Sequence, residues 1–274
     1  MAVNASQVAT RMTSSRADWP EPAGVETPAA VILAAGEGSR LRQGSDAPPK
    51  PLTPLLGSTL VERAVRSCRS AGVTDFVVVV GFRSDLIAPY LRMLGPELGV
   101  RLRVVENHRW ELGNGTSALA AEPYVDGAFF LLMADHVFAP EFLERLVERD
   151  DGRRACALVV DRDLKEVRDV PEATKVRLSN GRVSAIGKQL TSFDAVDTGV
   201  FLCRSALFDA LREASASGEY TFGGAVELLA RRGEVSWVPA GGLFWQDIDT
   251  PEDLDFARSR LLAERATSPS MPSR

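Results

Sequence analysis

The chain has 274 residues, with 32 basic against 37 acidic side chains and a formal net charge of −5. Hydrophobic residues at 45% and charged residues at 25% match a soluble globular protein, which argues against both a disordered chain and a membrane protein. An acidic sum also lacks the broad positive field behind non-specific nucleic-acid binding, so no nucleic-acid partner is expected.

Residues 1–27 mix Ser, Thr, Ala and Pro without periodicity and lack the apolar stretch of a signal peptide. They read as a disordered amino-terminal arm, 28–265 as one domain, and the Ser- and Pro-rich 266–274 as a disordered tail. Strands are predicted at 29–33, 75–80, 101–106 and 129–133, alternating with helices at 60–70, 84–94 and a short one near Ser117. This βαβα alternation implies an α/β fold with a mostly parallel, doubly wound sheet. After a helix at 140–148 and a strand at 156–160 the texture changes, with short strands at 175–178, 182–186 and 198–203. The Asn180-Gly181 dipeptide signals a hairpin, so the sheet is expected to be mixed, with an antiparallel excursion. Helices at 205–214 and 222–231, a strand at 235–238 and a helix from Pro251 to about Leu262 complete the domain, with Asp249 and Thr250 as cap candidates. Apolar runs such as 76–80 and 129–134 are strand-sized, far below the roughly 20 residues of a membrane span. Cys68, Cys156 and Cys203 sit within apolar patterns as buried small hydrophobes, which fits a reducing cytoplasm.

The first strand leads into Leu33-Ala34-Ala35-Gly36-Glu37-Gly38-Ser39-Arg40-Leu41, with Pro49-Lys50-Pro51 following. A glycine loop at the carboxyl end of a parallel strand lets backbone N–H groups approach phosphate, and Arg40 and Lys50 add matching charge. An ordinary βα turn with solvated cations competes with that reading. No Walker A lysine follows the glycines, which speaks against a P-loop ATPase. A second cluster, Gly113-Asn114-Gly115-Thr116-Ser117-Ala118, matches GxGxxA formally but follows no clean strand; it reads either as a base-reading loop or as a turn with a helix cap. Asp135, beyond the strand at 129–133, and Asp247 or Asp249 could together hold Mg²⁺ against a polyphosphate. Asp249 competes as a plain cap of the last helix. With His108 and His136 as the only histidines and no HExxH or CxxC, a zinc site is not expected.

The glycine loop with Pro49-Lys50 resembles the signature of sugar-nucleotide-type nucleotidyltransferases, over about residues 29–262. That resemblance implies a Rossmann-like, mostly parallel mixed sheet with an inserted antiparallel acceptor-binding region, the nucleotide-diphospho-sugar transferase fold. Met133-Ala134-Asp135-His136-Val137, Glu172-Ala173-Thr174-Lys175-Val176, Gly187-Lys188 and Asp194-Ala195-Val196-Asp197-Thr198-Gly199-Val200-Phe201 look most like the inositol-1-phosphate cytidylyltransferases. In that family CTP and a cyclitol phosphate give a CDP-alcohol and pyrophosphate. Carried onto matching positions, the resemblance implies that Leu33, Ala34, Ala35 and Gly36 present the backbone to base and ribose, with Asn114, Gly115 and Thr116 beside the base. Gly38, Ser39, Arg40 and Lys50 would hold the triphosphate. Asp135 and Asp247 would hold Mg²⁺, Asp247 being preferred because its place after Trp245-Gln246 resembles the family's second metal ligand. Lys188, with Lys175, would meet the acceptor phosphate, while His136, Asp197, Thr198 and Gly199 would line the alcohol pocket. Alternatives left open are a sugar 1-phosphate, C7-cyclitol phosphate, phosphonate or phosphocholine acceptor with CTP or another NTP, and, from another class, a non-catalytic nucleotide-binding regulatory module. Some relatives carry a fused membrane domain for the next step; with no such segment in the sequence, a later step is expected of another protein. A homodimer stays open, with the arm as one contact.

Overall fold

A computed structural model describes residues 27–42 and 47–267. The expected arm thus lies outside the described residues except Thr27, and the expected tail except Ala266 and Thr267, which belong to a helix. The first half contains β1 (Ala29–Ala34), β2 (Pro54–Leu55), β3 (Ser58–Thr59), α1 (Leu60–Ser70), β4 (Asp75–Val80), α2 (Ser84–Leu98), β5 (Arg101–Glu106) and α3 (Asn114–Ala121). It continues with β6 (Phe129–Met133), β7 (His136–Phe138), α4 (Glu141–Glu148), β8 (Cys156–Asp161), β9 (Lys175–Ser179), β10 (Arg182–Gly187) and β11 (Ala195–Cys203). The chain closes with α5 (Ala206–Ala216), α6 (Phe222–Arg231), β12 (Val235–Pro239), β13 (Trp245–Asp247) and α7 (Pro251–Thr267).

Strands β5, β4, β1 and β6 lie side by side and parallel. Strand β11 runs antiparallel to β6 and, on its other edge, to β8, which pairs in parallel with β12. The β9–β10 hairpin joins the start of β11 through Ala195 and Val196. Side chains of the central strands alternate between two cores. Ala30, Ile32, Phe76 and Val78 face α1, α2 and α4, whereas Val31, Leu33, Val77 and Val79 face α3, α5 and α6. Burial on both faces explains why these strands read as continuous apolar runs. The expected mostly parallel core with an antiparallel excursion is present, and its hairpin turns at Asn180 and Gly181, both at positive φ.

Helix α2 outlasts the expected 84–94. It continues through Gly95 and Pro96 to Leu98, buries Leu94 and Leu98, and stops at Gly99 in the left-handed region. Tertiary burial overrides the local Gly-Pro stop signal here. All three cysteines are free and buried, and strand pairing sets the sulfurs of Cys156 and Cys203 3.3 Å apart. Four short strands escaped the periodicity reading, β2, β3, β7 and β13. The last two form a separate antiparallel ladder that sets Asp247 directly opposite His136.

Candidate active site

The site lies beyond the carboxyl ends of β1 and β6, where an open α/β sheet leaves a crevice. Leu33, Ala34, Gly36, Gly38, Ser39 and Arg40 line a pocket of about 310 Å³, closed by Lys50, Asp135 and Asp249. Gly38 has φ +63° and packs on the Lys50 stem so closely that a Cβ would collide with it. Only glycine lets the lysine thread under the loop. Pro49 and Pro51 flank Lys50 in a 3₁₀ turn, which fixes the backbone from which it reaches inward.

Lys50 is 6% exposed and meets three carboxylates. Its ammonium pairs closely with Asp135, lies 2.7 Å from Asp249 and 3.9 Å from Asp247. Burial disfavours its charge, yet the three carboxylates outweigh that and hold its pKa above the ordinary lysine value. Burial works against the Asp135 anion too, but Lys50 and His136 hold this carboxyl well below the usual range. The other Asp135 oxygen lies 2.9 Å from Nδ1 of His136. Burial would lower the His136 pKa, but Asp247 and Asp135, with Asp197 behind them, raise it to about 9. Burial raises the pKa of Asp247. It also raises that of Asp197, to about 6, against the opposing hydrogen bond from the Gly199 N–H.

One oxygen of Asp247 is buried without a hydrogen-bond partner. Such an atom is costly unless something occupies the space before it. Ligand atoms of Asp135, His136 and Asp247 lie within 4.8 Å of one another, and among the described residues this is the cluster able to hold a metal ion. An orphaned carboxylate oxygen beside a second carboxylate fits a divalent cation.

Asp249 is not the helix cap that it resembles in sequence. Thr250 and Asp253 cap α7 reciprocally, Thr250 Oγ1 donating to Asp253 at 2.8 Å and accepting the Asp253 N–H at 3.2 Å. The Asp249 side chain is therefore free to bridge Arg40 and Lys50. Arg40 and Asp249 also border a second cleft of about 240 Å³, which holds Asn114, His136, Lys188, Asp197 and Gly199. The register between β11 and β8 shifts after Asp197, and Gly199, at φ +76°, packs against the His136 ring where a Cβ would clash. This irregularity turns Asp197 and Gly199 towards the cleft.

Several expected residues are not brought there. Lys175 is buried and donates to the carbonyls of Pro171, Ala173 and Lys188, so its ammonium staples the hairpin instead of facing the cleft. Lys188, 54% exposed and 4.0 Å from Glu172, does line it. Thr198 is fully buried and donates to the Val159 carbonyl. The Gly115 N–H donates to the Tyr220 carbonyl, and Thr116 donates to carbonyls of its own turn, so neither is free to read a base. Asn114 borders the cleft, but its carbonyl oxygen accepts the Phe222 N–H at the start of α6. Ala35 is buried with its carbonyl accepting the Phe82 N–H. Sequence reasoning missed Arg168 and the wall formed by residues 166–169, a loop with no periodicity to betray it.

The chain is 39% identical over 252 residues to the bifunctional IPC transferase and DIPP synthase of Rubrobacter xylanophilus, covering 91% of this chain and 55% of that protein. The protein of that name from Archaeoglobus fulgidus is 36% identical, with 85% and 44% covered. The chain thus spans about half the length of the curated relatives it matches. The solved inositol-1-phosphate CTP transferase of T. maritima superposes with a TM-score of 0.77 at 29% identity, over 89% of this chain and 98% of that one. Its likeness bears out the nucleotide-diphospho-sugar transferase fold. The MobA-like NTP transferase domain matches residues 30–235, which contain the glycine loop, Lys50, Asp135 and Lys188, and the chain belongs to that nucleotidyltransferase family.

Proposed function

We propose that the protein is a Mg²⁺-dependent cytidylyltransferase that joins CTP to a cyclitol phosphate of the inositol-1-phosphate type, giving a CDP-alcohol and pyrophosphate. The observation that carries this reading is the likeness to the CTP transferase over 89% of this chain and 98% of that one. An acceptor phosphate oxygen attacks the α-phosphorus; the new P–O bond forms as the bond to the β-phosphate breaks and pyrophosphate leaves. A phosphate monoester needs no activation by a triad, so the demand is alignment of two anions and neutralisation of their charge.

Arg40 and Lys50 stand beside the glycine loop to meet the triphosphate, and Lys188 stands on the far side of the cleft to meet the acceptor phosphate. Asp135 and Asp247 would hold Mg²⁺, which supplies charge neutralisation at the phosphates. Magnesium prefers oxygen, and His136 already bonds Asp135, so the imidazole orients a ligand and is not one itself. Asp197 and Gly199 border the space beside His136 where acceptor hydroxyls would lie.

The test is pyrophosphate release with Mg²⁺ and each of CTP, UTP, GTP and ATP, against inositol 1-phosphate, glucose 1-phosphate and phosphocholine. CTP with inositol 1-phosphate is expected to give the largest kcat/KM. Release with UTP or GTP and a sugar phosphate, and none with CTP, overturns the reading. Binding of CTP and Mg²⁺ without any release would favour the regulatory module.

A further inference from the structure

Between β8 and β9, residues 162–174 cross the acceptor side of the cleft without forming a strand. The ends of this loop are tied down. Arg162 lies over the Trp237 ring, while at the far end Thr174 accepts the Asp197 N–H and Lys175 holds the carbonyls of Pro171 and Ala173. In between, the Glu166 N–H bonds Asp163 and the Ala173 N–H bonds Asp169 within the loop, and Glu172 lies 4.0 Å from the exposed Lys188.

Arg168 links the middle of the loop to α7. Its Nε lies 3.2 Å from Asp253 Oδ1, and its guanidinium sits 5.4 Å from the centre of the Phe256 ring. Asp253 is 8% exposed, and its other oxygen accepts the N–H groups of Asp249 and Thr250 as well as the Thr250 hydroxyl. One carboxylate thus joins the loop to the turn that carries Asp247 and Asp249. A planar guanidinium serves both contacts at once, pairing with a carboxylate through its edge and an aromatic ring through its face.

We propose that Arg168 is a positioning residue that clasps the 162–174 loop onto the first turn of α7 and so holds the acceptor wall at a set distance from the carboxylates. It touches neither substrate in this scheme. The phosphate pocket at the glycine loop is built without it: among the described residues its lining takes none from 162–174, and the ion pairs of Lys50 and Arg40 go to Asp135, Asp247 and Asp249. The bonds that hold Asp249 and Thr250 use the other Asp253 oxygen and do not involve Arg168, so loss of the clasp loosens the acceptor wall and spares the phosphate pocket.

This inference rests on the nucleotidyltransferase reading above, and its test separates the two. In Arg168→Ala, amide hydrogen exchange of residues 163–173 is expected to quicken, and the acceptor KM to rise about tenfold while the nucleotide KM changes less than about twofold. Arg168→Lys should recover part of the loss, since it keeps the charge and forfeits the flat stacking surface. If Arg168→Ala fails to fold, Phe256→Leu removes the ring under the guanidinium, together with its packing on Phe244, keeps the Arg168–Asp253 pair, and should move the same readouts in the same direction. Unchanged exchange overturns the clasp whatever the enzyme turns over. An unchanged acceptor KM, or an equal rise in both KM values, overturns its positioning role. Quickened exchange in a protein that turns over no nucleotide with any acceptor refutes the parent reading and leaves the clasp in place.

Discussion

The two walls of the cleft use the same residue type in opposite ways. On the glycine-loop side Lys50 is buried, framed by prolines, packed under Gly38 and paired with Asp135 and Asp249. On the hairpin side Lys188 is 54% exposed and 4.0 Å from its acidic neighbour. A buried, fully paired cation is pre-organised and loses little entropy when a ligand arrives, whereas an exposed one can follow ligands of different shape. Under the function proposed above, the rigid wall would suit the part of the reaction that every nucleotide substrate shares, and the looser wall would suit the acceptor.

The contrast can be broken most forcefully at Lys50. Lys50→Met is expected to lower kcat/KM by about a thousandfold, because one buried cation and its alignment of the phosphates are lost together. Near-normal turnover in that variant would remove Lys50 from the chemistry and leave its pairing as a purely structural feature.

A second measurement probes the charge balance on which the rigid wall depends. The folded pKa of His136 is raised from 6.5 to about 9, so the stability it contributes in the metal-free protein is full below pH 6.5 and is lost as pH rises through about 9. Denaturant melts across that range should show a loss of about 2 kcal/mol, discounted for partial solvent access. His136→Gln should flatten the slope. An unchanged slope would mean that the imidazole carries no charge beside Asp135 and Asp247.

The smallest expected effect sharpens the other side. Lys188→Ala should raise the acceptor KM about tenfold and leave the nucleotide KM and the stability alone, as expected for an exposed cation that meets one anion. Lys175→Met should do the reverse, costing about 1 kcal/mol of stability by leaving the carbonyls of Pro171, Ala173 and Lys188 without their shared ammonium, with both KM values near the wild-type ones. Exchanged outcomes for the two lysines would overturn their assignment to the cleft and to the hairpin staple.

Much of the rigid wall was legible beforehand because it is local. Gly36 to Arg40 follow a strand, Lys50 sits between prolines, and Asp135 follows the apolar run 129–134, so each carries its context in its own segment. The looser wall was legible only as a list of candidates. Lys175 and Lys188 both flank short hairpin strands, and nothing in the residue type tells a staple from a ligand-facing group. Thr116, Thr198 and Gly115 satisfied motif spacing but gave their donors to the backbone. Asp249 looked like a cap because Thr250 and Pro251 follow it; the cap is made one residue later, by Thr250 with Asp253.

By itself the sequence determined the α/β class, the parallel core and the carboxyl-end position of the glycine loop and Asp135, since hydrophobic period and turn residues are properties of short segments. Tertiary structure alone decided which polar groups meet. The ladder that sets Asp247 against His136 has strands of three residues, too short for any periodicity, and it closes a loop of more than a hundred residues. The same holds for the Arg168 clasp and the Lys175 staple, because a long-range contact depends on where the chain has been carried, and the residue's own neighbours in sequence do not record that.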